Sequence, residues 1–378
     1  MKHAIVAATL LATTTWYAPA TAAADPPTYT SAAYAYAIND AGDIVGTITG
    51  PGFASAARWD RNGNVTLLGT PGAQATVINA AGTAAGTGPS WGPVIRWDQR
   101  GRVTTFTSLD GLGPLFVYGI SADGTVAGTS VDGDGGDRAI RTTADGRLVV
   151  LPVLGNGSFT GVSDMNASGI TIGSSEGRGV RWDTAGRLTV LSPLPGGSFS
   201  GTAAITDAGA IVGISGLPVH AVRWDTAGRV ADLGVLPGGS TSAAVDINAN
   251  GLVVGTANDA AGRTHVVRWD RGGAIADLGP VDSGGVVGIN IVGTVVGCGR
   301  GPQDLTVRPL SWDPAGRQHP LPLPPGAVAG CPTGINSTGV IAGVVQFPDS
   351  TTRAVRWNGA GVAYLPVPQH QPHPAGTR

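Results

Sequence analysis

Apolar residues along this chain come in pairs and triplets parted by four-residue polar turns, and one arrangement of them keeps returning. From Ile247 to Leu278 it reads Ile-Asn-Ala-Asn-Gly-Leu-Val-Val-Gly, a variable loop, then His-Val-Val-Arg-Trp-Asp-Arg-Gly-Gly-Ala-Ile-Ala-Asp-Leu. Asn or Asp opening a four-residue turn, with Gly where φ must be positive, is a hairpin signal. Each copy therefore encodes two β-hairpins, four strands in all. Neighbouring apolar residues such as Ile44 and Val45, or Val253 and Val254, point to opposite faces of a strand, so both faces of the sheet need cover.

The glycine closing the first hairpin recurs at Gly42, Gly82, Gly124, Gly169, Gly209, Gly251, Gly293 and Gly339, with separations of 40, 42, 45, 40, 42, 42 and 46 residues. These are eight units of the length of one propeller blade. The third is the weakest, yet it keeps Ile120, Gly124, Val126, Gly128, Ile140 and Asp145-Gly146. No stretch between the turns has a helical period; even the long run free of Gly and Pro from Thr28 to Ala41 lacks one. The chain is read as all-β, a β-propeller of eight four-stranded blades. A seven-bladed propeller and a β-solenoid are the competing architectures. Ala and Gly dominate the first strand of several units, as at Ala203-Ala204 and Ala243-Ala244, which suits strands crowding toward an axis.

In a meander of this kind the first-to-second and third-to-fourth turns share one rim. The second-to-third loops and the connections between units share the other. The first rim is a set of near-identical turns, whereas the second carries what varies: Pro51 to Ser55, Trp91, Asp132 to Asp137, Glu176, His220, His265, Arg300 to Asp304 and the Leu-Pro-Gly-Gly-Ser connections at Leu194 to Ser198 and Leu236 to Ser240. Variable loops on a rigid frame are where binding usually resides.

The ends add compartment. Met1-Lys2-His3 and a short apolar run lead to small residues around Ala22 and Ala24, the pattern of a secretory signal peptide over residues 1–24. The repeat domain is placed at 25–366, and the proline-rich segment 367–378 is expected to be disordered. No apolar run approaches the ~20 residues of a spanning helix. Past the leader, 22 arginines stand against 25 acidic residues and no lysine remains, a net charge near −3 that offers no footprint for nucleic acid. The expected product is secreted, extracellular and monomeric.

Cys298 and Cys331, in adjacent units, are expected to form a disulfide in an oxidising compartment. Asp132, Asp134 and Asp137 cluster in one loop as candidate calcium ligands, although the full calcium-loop spacing with its distal glutamate is absent, and a solvated acidic loop is the alternative. Gly173-Ser174-Ser175-Glu176-Gly177 matches the Gly-x-Ser-x-Gly of hydrolases, but that motif needs a strand-turn-helix elbow, and here it ends a strand inside a meander. Glu176 is the one glutamate and has no evident carboxylate partner. His220 and His265 hold the same position in adjacent units, and His319 falls in a turn; none completes a metal motif. Trp59, Trp97, Trp182, Trp224, Trp269, Trp312 and Trp357 occupy one repeated position, read as core and not as a row of sugar platforms, because seven exposed indoles would leave large apolar area in water.

The repeat resembles that of the bacterial extracellular HAF-repeat proteins, whose unit joins an Ile-Asn-x-x-Gly-x-Val-Val-Gly segment, a His-Ala-Phe-x-Trp segment and a Leu-Gly-x-Leu-x-Gly-Gly-x-Ser segment. The nearest copies are His220-Ala221-Val222-Arg223-Trp224, Leu233 to Ser240, and Ile247 to Gly255. Only His220 and His265 keep the histidine, and aliphatic residues replace its aromatic third letter. The resemblance implies repeats and export, and no shared reaction. Together these readings point to a non-enzymatic module binding an extracellular carbohydrate or protein through its variable loops, without a cofactor unless calcium is one. A propeller glycoside hydrolase or lyase using loop aspartates is the alternative, and a structural surface protein is another.

Overall fold

A computed structural model describes residues 31–106, 112–132, 136–143, 146–155, 159–300 and 306–368. The expected leader and residues 369–378 lie outside them. Eight four-stranded antiparallel sheets follow one another along the chain, at 32–71, 74–106, 112–150, 160–190, 200–232, 242–280, 282–320 and 329–364, here blades 1 to 8. The eight-bladed propeller is thus the fold, and neither the solenoid nor the smaller ring is adopted. A 3-10 turn at Pro89–Trp91 is the one helical element among the described residues.

In every blade the strands are used in sequence order, and the first strand pairs on one edge only. First strands touch those of both neighbouring blades, blade 8 against blade 1 included, so they form the inner ring. Each carries a bulge at the same place. In blade 6, Ala244 pairs with Gly255 and Asp246 with Val254, which leaves Val245 unpaired. The bulge drives the preceding carbonyl toward the second strand: a Cβ on Gly255 would lie 1.9 Å from the Ala243 oxygen, and one on Gly46 would lie 1.8 Å from that of Tyr34. That contact is why the Val-Val-Gly of the repeat ends in glycine.

Three kinds of side chain fasten blade to blade. The seven repeated tryptophans are at most 1% exposed. Five of them donate the indole N–H backward to the outer strand of the previous blade or the connection leaving it, as Trp224 does to the Ser192 carbonyl at 2.7 Å and Trp182 to that of Pro152 at 2.8 Å. The arginine before the tryptophan reaches forward. Arg58 donates to the carbonyls of both Gly82 and Gln99, and Arg141 to those of Asp183 and Thr184. Since Gly82 and Gln99 belong to the first and second turns of blade 2, one guanidinium touching both puts the two turns on one rim. The turn asparagine works in two directions. Asn248 Oδ1 accepts the Leu252 N–H at 3.0 Å to close its own turn, and its Nδ2 donates to the Asn290 carbonyl of the next blade at 2.8 Å.

The ring closes with the same three fasteners and no exchanged strand. Asn336 donates to the Asn39 carbonyl at 3.2 Å, Arg356 to that of Arg61 at 2.6 Å, and Trp59 to that of Pro366 at 2.7 Å. Cys298 and Cys331 are joined, adding a covalent link between blades 7 and 8. Both cysteines lie within strands, Val295–Arg300 and Ala329–Ile335.

Candidate binding rim

The meander sends the variable segments to one rim, as the repeat implied, and exposed apolar side chains gather there. Leu217 is 83% exposed in the second-to-third loop of blade 5, Phe159 is 68% exposed at the entry to blade 4, and Trp91 is 47% exposed in the second-to-third loop of blade 2. On the turn rim Val292 is 60% exposed, and Val103, which follows the second turn of blade 2, is 47% exposed. Trp91 is presented at a cost. Ser90 and Trp91 both have φ of 57°, the left-handed region, which for an L-residue with a Cβ costs about 1 to 2 kcal/mol each. The turn is held by Gly92 N–H to the Pro89 carbonyl at 3.0 Å and Gly88 N–H to that of Pro93 at 2.8 Å. The indole is braced against Phe116 of blade 3, with ring centroids 5.3 Å apart and planes at 38°. Local strain supported by its surroundings is a mark of functional segments.

Beneath this rim the inner strands alternate between buried and half-buried residues. The half-buried positions are Tyr34 and Tyr36 in blade 1, Gln74 and Thr76 in blade 2, and Phe116 and Tyr118 in blade 3. Tyr34 and Tyr36 stack with centroids 6.4 Å apart. Burial first, then the neighbouring Tyr34 phenol, pushes the Tyr36 hydroxyl up to about 12, so it is a neutral hydrogen-bonding group at ordinary pH.

The histidines have structural partners. His220 Nδ1 lies 2.8 Å from Asp232, and His265, whose side chain is 9% exposed, has Nδ1 2.9 Å from Asp277 and Nε2 3.2 Å from Asp259. Each aspartate of the equivalent pairs sits on the outer strand, twelve residues after its histidine. Asp259 also meets Arg263, whose backbone N–H first and guanidinium after it hold the Asp259 carboxyl down to about 2. His319, expected in a turn, lies in the outer strand of blade 7, Gln318–Pro320, with its Nε2 3.2 Å from Asp313 of the preceding turn. Ser175 of the Gly-x-Ser-x-Gly match is buried, its Oγ accepting the Leu154 N–H at 2.9 Å and lying 2.8 Å from Thr160 Oγ1. A hydroxyl so occupied is part of the core. The turn aspartates cap their own hairpins, as Asp225 does by accepting the Ala227 and Arg229 N–H groups.

Of the calcium candidates, Asp134 and the side chain of Asp132 fall outside the described residues, while Asp137 begins the third strand of blade 3. Among the described residues, no three His, Cys, Asp or Glu side chains group as metal ligands. No described helix is long and apolar enough to cross a membrane.

The opposite rim also holds a cavity, of about 200 Å³, at the axial mouth. Asp40 of blade 1 and Asp207 of blade 5, four blades apart and so across the ring, enter its lining together with Thr206, Asn248, Asn290 and Asn336. One oxygen of each aspartate is already committed: Asp40 accepts the Ser337 N–H and Asp207 the Ala167 N–H, both at 2.9 Å. The sequence pattern gave no hint of this cavity, because one turn position becomes a lining residue only when eight copies converge. The arginine fasteners were missed for a similar reason, since a residue's reach into the next unit is invisible within one unit.

Comparison with protein-family models yields no match, and no curated protein sequence matches either. Solved structures do match. The β-propeller domain of the trilobed protease from Pyrococcus furiosus, described as having an open velcro topology, is 12% identical over 90% of this chain and 97% of that one, with a TM-score of 0.52. Dipeptidyl peptidase 4 of Porphyromonas gingivalis is 9% identical over 80% of this chain and 56% of that one, with a TM-score of 0.53. Virginiamycin B lyase from Staphylococcus aureus is 17% identical over 71% of this chain and 92% of that one, at a TM-score of 0.46. At such identities a shared fold carries no activity with it. What this chain shares with the first two is the fold alone.

Proposed function

We propose that this protein is a secreted binding module that engages an extracellular carbohydrate or protein through its loop rim. The observation that carries the reading is Trp91, an indole held in solvent by two consecutive left-handed residues and braced by Phe116. Leu217 and Phe159 are further exposed apolar side chains on the same rim. A disulfide between blades 7 and 8 accords with an oxidising compartment. The HAF-repeat likeness agrees with export and repetition, and adds no reaction.

The carboxylates and the serine that a hydrolytic reading would recruit are engaged in turns, histidine pairs and core contacts, so catalysis is the less supported alternative. The test is a mixed array of glycans and extracellular proteins probed with the mature chain and with Trp91→Ala. The expected result is a ligand whose affinity falls about tenfold or more in the variant, with an unchanged thermal midpoint. A ligand bound equally by both proteins, or no ligand on either half of the array, would remove the reading.

A further inference from the structure

The seams between blades are not fastened alike. At every seam but one, the residue ahead of the repeated tryptophan, or ahead of Thr142 in blade 3, is an arginine that donates to a turn carbonyl of the next blade, from Arg58 at the first seam to Arg356 at the closure. Blade 7 breaks the rule with Ser311, whose Oγ donates to the His319 carbonyl of its own blade at 3.4 Å. Blade 8 nevertheless keeps the place for a guanidinium. Its Gly339 and Gly359 correspond to Gly251 and Arg271 of blade 6, whose carbonyls Arg223 reaches. A Cβ on Gly251 would lie 3.7 Å from the Arg223 guanidinium, and one on Gly124 3.2 Å from that of Arg96, but one on Gly339 or Gly359 would meet nothing within 4 Å. The seam that lacks its arginine is also the seam the disulfide crosses, from Cys298 in the second strand of blade 7 to Cys331 in the first strand of blade 8.

We infer that the Cys298–Cys331 bond stands in for the absent arginine clamp, so that its reduction makes the seam between blades 7 and 8 the point where the ring loosens. Elsewhere a seam is held by an arginine, turn bonds and packing, none of which a reductant touches. Here, loss of the covalent bond leaves the side-chain donations of Asn290 to the Asn336 carbonyl and of Trp357 to that of Pro322, the Gly330 N–H on the Val307 carbonyl, and apolar packing. Access sets the order of steps. Cys331 is 2% exposed and Cys298 is half-buried, so the thiolate of a small dithiol attacks the Cys298 sulfur. The S–S bond breaks, Cys331 leaves as a thiolate and takes up a proton, and the reagent is joined to Cys298 as a mixed disulfide. The reagent's second thiol, losing its proton, then displaces Cys298 as a thiolate that is protonated in turn, so both cysteines end as thiols and the dithiol as a cyclic disulfide. The inference is independent of what the loop rim binds.

Hydrogen exchange read by mass spectrometry tests this on the mature chain, oxidised, reduced with dithiothreitol, and reduced as Ser311→Arg, with alkylation confirming that both thiols are free. Reduction should cost protection in Val295–Arg300 and Ala329–Ile335, the strands on either side of the seam, while the corresponding strands of blades 4 to 6 keep theirs. Ser311→Arg, offered the Gly339 and Gly359 carbonyls, should restore that protection in the reduced protein. If the arginine variant fails to fold, Cys298→Ala with Cys331→Ala decides in its place, and it should show the same local loss without any reductant. Protection lost evenly around the ring, lost first at another seam, or not lost at all on reduction would overturn the inference. So would a folded Ser311→Arg whose reduced form exchanges as fast as the reduced wild type, or a double alanine variant as protected as the oxidised protein.

Discussion

A single tryptophan shows how one residue type does two jobs in this ring. All seven repeated indoles fill the space between blades, but Trp224 also donates its N–H to Ser192, whereas the buried Trp269 N–H meets no hydrogen-bond acceptor. Replacement by Phe removes similar volume at both positions. Trp224→Phe should therefore cost about 1 kcal/mol more than Trp269→Phe, the net worth of one buried hydrogen bond, as read from denaturant midpoints. Equal costs would mean that the backward bond adds nothing to the packing. The core role of these residues was legible in the sequence, since a repeated bulky apolar residue must be covered. Which of them finds an acceptor was not, because the acceptor belongs to another unit.

At the scale of the element, the strand quartet was readable from turn chemistry and the bulge was not. Asn-x-x-Gly and Asp-x-x-Gly define where strands reverse, while a bulge leaves no residue-type signature: Tyr36, Thr76, Ser163, Ala203 and Val245 all occupy it. Its trace is the glycine facing it. Gly255→Ala places a methyl group against the Ala243 carbonyl, so it should cost about 2 to 3 kcal/mol, in the range of overpacked cores. Gly359→Ala, where an added Cβ meets nothing within 4 Å, should change the unfolding midpoint little. A tolerant Gly255 would show that the bulge is not what fixes this position. The same limit hid the site, because the exposed Trp91 was visible as a loop residue but its left-handed backbone and its Phe116 brace depend on two blades meeting.

Across the whole molecule, the forward arginines and asparagines cluster at the turn rim and clamp each blade to the next, around to Asn336 and Arg356 on blade 1. The loop rim bears few of these bonds, and its segments differ in length and composition from blade to blade. Rigidity and recognition are therefore divided between the two ends of one axis. The axial cavity at Asp40 and Asp207 is the rival surface, and it makes the division open to refutation. The most direct measurement is covalent surface footprinting of the mature protein with and without its bound ligand. Protection at Trp91, Phe159 and Leu217, with Val292, Asp40 and Asp207 as reactive as in the free protein, is the result this account predicts. Protection confined to Val292, Asp40 and Asp207 would contradict it and move recognition to the opposite end of the ring.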